Sequence, residues 1–99
     1  MNHKQQIAID TILECKDAFI IPPRKNWPIY FFQRAAYKSW AIEEVIERIV
    51  FNSRDDPIDI IYDFKLQLEH FADNSNSLEQ QFIFETALEI IEDIGLLFV

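Results

Sequence analysis

A single glycine, Gly95, stands in a chain of 99 residues, and that scarcity removes most β architectures at once. Hairpins, sandwiches and barrels turn often, and their tight turns draw on glycine to supply positive φ. The apolar residues instead recur at intervals of three and four, the repeat of a helix with one buried face. The sequence therefore predicts an all-α protein: residues 1–99 as a single-domain bundle of about four helices.

The first helix is expected over about 3–19, where Ala8, Ile12, Cys15 and Phe19 mark the buried stripe and Ile9, Leu13 and Ile20 widen it. Pro22 and Pro23 end it, because proline lacks an amide donor and restricts the residue before it. The segment PPRKNWP reads as a loop in which Asn26 caps the next helix and Pro28 enters its first turn. That second helix is expected over about 28–52 and is the longest, with Phe31, Phe32, Ala35, Ala36 and Trp40, then Ile42, Val45, Ile46, Ile49 and Val50, facing neighbours. Asp56 before Pro57 is an N-cap followed by a first-turn proline, opening a third helix over 57–72 with Ile61, Phe64, Leu68 and Phe71 inward. Ser77 and Gln80 match a capping box for a fourth helix over 78–94. Phe84, Leu88 and Ile91 mark its core face, widened by Ala87 and Ile94, and Gly95 is assigned as a left-handed C-cap.

A 49% hydrophobic content with nine phenylalanines supplies enough apolar surface to offset chain entropy, so a folded core is expected. A domain of this length buries roughly 65% of the surface its unfolded chain exposes. The lone Cys15 allows no internal disulfide and no cysteine-based zinc site, which points to a reducing cytosol. MNHKQQ is polar with no apolar run behind it, and no stretch approaches the roughly 20 residues that span a bilayer. The expectation is a cytoplasmic protein without a membrane segment.

No residue set carries a catalytic signature, and the chain is read as a non-enzyme. A cysteine nucleophile needs a base in hydrogen-bond reach and a group to orient that base. Only His3, near the terminus, and His70, beside Phe71, are on offer, so Cys15 reads as a small buried thiol. A carboxylate-bridged metal pair needs Glu-x-x-His motifs on two helices, and Gln67 holds the position three before His70. Neither a metal nor another cofactor is expected. Phosphate backbones call for clustered Lys and Arg. Here Arg24 and Lys25 beside Trp27, with Arg34 and Lys38 further on, are too sparse in an acidic chain to support nucleic-acid binding.

The net charge of −8 is unevenly held. Residues 1–54 carry eight bases against six acids, whereas residues 55–99 carry eleven acids against Lys65 alone. Asp55, Asp56 and Asp59 stand where a helix N-terminus favours negative charge. Glu89, Glu92 and Asp93 lie toward the opposite end of their helix, where the dipole disfavours them. An acidic surface of this kind suits a cationic partner, because complementary charge raises association rates by about one to three orders of magnitude. The candidate partner-binding residues are Asp55, Asp56, Asp59, Tyr62 and Asp63 on the third helix with Glu85, Glu89, Glu92 and Asp93 on the fourth. Tyr62 serves as the aromatic anchor.

The segments IIYDFKLQLEHFADNSNSLEQ and FIFETALEIIEDIGLLF resemble the last two helices of small acidic bacterial immunity proteins, the antidotes of colicin and contact-dependent inhibition toxins. The resemblance covers about the C-terminal half and implies binding and neutralisation of a cognate toxin domain, a basic nuclease in particular. Two other readings share the composition. One is a phage or plasmid regulatory protein that mimics nucleic acid or blocks a nucleic-acid-binding enzyme. The other is a homo-oligomeric module joined through the apolar tail Leu96, Leu97, Phe98 and Val99.

Overall fold

A computed structural model of the chain describes residues 3–19, 34–52 and 54–98, with Arg34 described by its backbone alone. Within them lie four helices and no strand: α1 (His3–Cys15), α2 (Arg34–Phe51), α3 (Pro57–Asp73) and α4 (Leu78–Leu96), with a 3-10 turn, Lys16–Ala18, after α1. The all-α fold read from the glycine count and the apolar period is the fold observed. The expected loop of Pro22, Pro23, Arg24, Lys25, Asn26, Trp27 and Pro28, together with Ile20, Phe31 and Phe32, lies outside the described residues, as does Val99.

Local chemistry accounts for the helix starts. Asp56, in extended backbone, accepts a 2.9 Å hydrogen bond at its carboxylate from the Ile58 amide, and Pro57 follows where its missing amide is harmless. Ser77 accepts a 3.1 Å bond from the Gln80 amide in the same manner. The reciprocal half of the box is shifted by one residue. The Gln80 side chain accepts from the amide of Asn76, not from that of the cap residue.

The ends depart further from expectation. α1 tightens into the 3-10 turn and Phe19 is extended, so the helix stops four residues early while Phe19 still reaches the core. Gly95 is not a left-handed cap. It lies inside α4, no residue in the described chain has positive φ, and the helix closes through Leu97 and Phe98, whose amides donate to Ile94 and Gly95 carbonyls at 3.1 and 3.2 Å.

α3 packs most extensively against α4, α2 lies against both, and α1 is held by smaller contacts with α2 and α3. Ile12, Val45, Ile49, Leu68, Ile90 and Ile94 are wholly buried where they meet. Phe64 sits among them, with Trp40 and Phe84 rings each 6.5 Å from a neighbour in a Phe64–Trp40–Phe84 chain, and Phe71 5.5 Å beyond Phe84. On α4 the buried face runs through Phe82, Thr86, Ala87, Ile90, Ile91 and Ile94. It is turned by roughly one residue, about 100°, from the Phe84–Leu88–Ile91 stripe, because α2 and α3 both contact this helix. Phe84 and Leu88 are left half-buried at its edge. Leu13, Val50 and Phe71 are each more than 40% exposed, and Ala35 and Ala36 face solvent.

α1 is also tied to the start of α3. Lys4 forms an ion pair with Asp56, and the buried Gln5 donates a 2.8 Å hydrogen bond to the Asp55 carbonyl. Burying a polar side chain is tolerable when it is hydrogen-bonded in this way. The first turn of α1 therefore holds the chain where α2 gives way to α3.

Candidate functional site on helices α3 and α4

The α3 sequence PIDIIYDFKLQLEHFAD is apolar on more than one side. Ile60, Ile61, Phe64 and Leu68 enter the core. A second row, Ile58, Tyr62 and Leu66, repeats every four residues and so shares one face. Its members are 49%, 59% and 46% exposed. Leu96 at the end of α4 is 70% exposed. Between the two helices runs an apolar groove of about 420 Å³, walled by Ile58, Ile61 and Tyr62 on α3 and by Ile91, Gly95 and Leu96 on α4. Lys65 and Glu92 complete the wall and face each other at 3.9 Å.

The nine expected partner-binding residues fall into separate neighbourhoods around this groove. Tyr62 and Glu92 line it. Asp59 is exposed one position after Ile58 and lines neither recess. Asp55 and Asp63 open instead onto a polar recess of about 220 Å³ on the other flank of α3, beside Arg48, Asn52 and Gln67. Asp56 is engaged within its own chain. The ammonium of Lys4 hydrogen-bonded to its carboxylate, together with the Ile58 amide, holds its pKa below the ordinary 3.8. Asp56 is a structural cap before it is anything else.

On α4 the Gln81 side chain donates to Glu85 at 3.1 Å, and Glu85 and Glu89 are half-buried and hold contacts inside the molecule. Glu92 remains an exposed carboxylate with only the long Lys65 pair, and Asp93 is half-buried beside it. By helix position Glu89, Glu92 and Asp93 had no structural cause. Glu89 and Glu92 hold contacts inside the molecule, as Glu85 does, and Asp93 is half-buried without one among the described residues. Of the nine, the exposed carboxylates are Asp55, Asp59, Asp63 and Glu92.

Reasoning from charge singled out Tyr62 but passed over Ile58, Leu66, Gly95 and Leu96. The four-residue spacing of Ile58, Tyr62 and Leu66 was a usable signal. It was masked by the equally regular inward row beside it. Gly95, taken for a helix terminator, is instead part of the groove wall.

Other chemistry-bearing residues sit apart from this face. Cys15 is half-buried against the core at the end of α1. His70 is exposed near the end of α3, with its ring 6.2 Å from that of Phe71. Among the described residues no three His, Cys, Asp or Glu side chains gather as a metal-binding group, and no helix is long and apolar enough to cross a membrane. In comparisons with protein-family models, curated proteins and solved structures, the chain matches none.

Proposed function

We propose that this chain is an inhibitory binding protein of the immunity type, which captures and neutralises a cationic toxin domain, a basic nuclease in particular, through the outer faces of α3 and α4. One observation carries the reading. An exposed apolar row, Ile58–Tyr62–Leu66, lies among uncommitted carboxylates in the half of the chain where eleven acids meet a single base. Apolar anchors inside a charged rim are what a tight heterologous interface needs, since the anchors supply residence time and the rim supplies encounter rate. A solvated acidic face that served solubility alone would not keep three large apolar side chains half-exposed in a row.

The nucleic-acid-mimic reading gains less support. Mimicry calls for carboxylates in one strip, whereas Asp55 and Asp63 open onto a different recess from the groove that Glu92 lines. The homo-oligomeric reading through the tail is also less favoured, because Leu97 and Phe98 pack against the core and leave Leu96 as the exposed member of the described tail.

The test is co-expression of the chain with the product of the neighbouring reading frame, followed by co-purification at low and high salt and a growth-rescue assay. The expected result is a complex that weakens as salt rises, rescue by the wild type, and loss of both with Asp59→Lys combined with Asp63→Lys. A complex indifferent to salt and to those substitutions removes the acidic surface from the interface. Absence of both complex and rescue overturns the immunity reading.

A further inference from the structure

We infer that the α3–α4 groove is the seat of a cationic amphipathic helix of the partner, whose apolar side chains enter between Tyr62 and Gly95 while its Lys or Arg residues meet Asp59 and Glu92. The inference rests on the proposed capture of a cationic protein and names the part of that protein which docks.

Gly95 is the most telling residue. Gly95 stands one residue before the end of α4, and a glycine near a helix end is normally kept for positive φ or for close approach of another backbone. Neither applies here. The chain's one glycine has ordinary helical φ, and a Cβ placed on it would have no neighbour within 4 Å. The absent side chain instead leaves the α4 wall of the groove open opposite Ile58 and Tyr62.

The shape and charge of the groove select its occupant. Ile58, Tyr62 and Leu66 span nine residues, about 12 Å along the axis of α3, and they continue past the groove wall, since Leu66 is exposed but does not line it. A partner helix presents apolar side chains at the same three- and four-residue spacing and covers such a length in about two turns. A small apolar molecule would be buried over most of its surface in a suitable pocket, but here much of the wall is side chain that itself faces solvent. A second copy of this chain is opposed by charge. A two-fold contact would set the same surface against itself, with Lys65 as the one base of each groove wall in a protein of net charge −8. A partner rich in Lys and Arg turns that repulsion into attraction and offers Glu92 a replacement for its 3.9 Å pairing with Lys65.

The experiment uses the full chain and two synthetic peptides of about 15 residues, long enough to form a helix. Both are Lys- and Arg-rich, one with leucines at every third and fourth position and one with serines in their place. Affinities are measured by calorimetry, and binding is mapped by amide chemical shifts. The leucine peptide should bind at least about tenfold tighter than the serine peptide, since each buried leucine contributes on that order. Its shifts should centre on Ile58, Tyr62, Ile91, Gly95 and Leu96.

Gly95→Phe fills the groove without a packed neighbour to displace and should abolish the leucine advantage without lowering the melting temperature. Gly95→Ala, which leaves room, should keep most of it, and Leu96→Ser gives a second way to weaken it without touching Gly95. Equal affinities for the two peptides, or no effect of Gly95→Phe, overturn the groove inference while leaving an acidic binding surface intact. A wild-type dimer in sedimentation that Gly95→Phe dissociates makes a second copy the occupant and overturns it. So does one-to-one uptake of a fluorescent apolar dye with no peptide bound. Failure of the toxin complex itself is read separately, in the co-purification above.

Discussion

Two recesses flank α3, and they are built on opposite principles. Toward α2, the polar recess is furnished from within the chain. Arg48 lies over the Phe64 ring, 4.3 Å from its centroid, and its guanidinium is 3.8 Å from Glu44, with Asn52, Asp55, Asp63 and Gln67 around it. Toward α4, the groove is walled mostly by half-exposed apolar side chains, with the Lys65–Glu92 pair as its one charged contact. The first recess has mixed charge, and its cation already sits on an aromatic face. The second has large apolar side chains that stand about half-exposed among the described residues. The comparison teaches that acidity alone does not locate a binding surface here. Both flanks carry carboxylates, but the α4 flank has a groove whose own wall is mostly apolar.

The comparison can be broken most forcefully at Phe64, which is core residue and floor of the polar recess together. Phe64→Ala should cost about 3–5 kcal/mol in urea unfolding, and a much smaller loss would mean that the α2 flank is not anchored as described. Arg48→Ala should cost about 1 kcal/mol, from the lost ring contact and the packing of its methylene stem. A recess that served a partner and not the fold would show no such loss. On the groove flank, Gly95→Ala should raise stability by about 0.5 kcal/mol, because it restricts the unfolded chain at a site that is helical and open. A destabilised variant would mean that the glycine is required by the backbone.

Ile58→Ser and Tyr62→Ser should each change stability by less than about 0.5 kcal/mol, as substitutions on a surface do, while weakening the toxin complex. Matching losses of stability and binding would make this row part of the core. The smallest effect is electrostatic. The Asp56 pKa is lowered in the folded protein, so its contribution is fully present above 3.8 and is lost as pH falls through the folded value. The slope of stability against pH below about pH 4 should flatten in Asp56→Asn, with the loss relative to the wild type greatest near neutrality and shrinking as the pH falls. An unchanged slope would free Asp56 from its Lys4 pairing.

How far the fold was legible follows from which signals were local. Asp56–Pro57 and Ser77–Gln80 place the starts of α3 and α4 correctly, because an N-cap is an interaction between a side chain and an amide two or three residues away. Ile61, Phe64 and Leu68 were likewise readable as core. Gln5 was not, because its burial depends on the Asp55 carbonyl, fifty residues distant in the chain. Gly95 was misassigned because a glycine at the end of an apolar period looks the same whether it terminates the helix or continues through it.

By itself the sequence determined the helical class, two of the helix starts and the concentration of negative charge after residue 54. Those follow from backbone preference, local hydrogen bonding and composition, all of which act at short range. Only the tertiary structure decided which of the two apolar rows on α3 is covered, and therefore where the exposed one lies. Both rows repeat with the pitch of a helix, and the choice between them is made by α2 and α4, which can bury just one side of α3 and leave the other to water or to a partner.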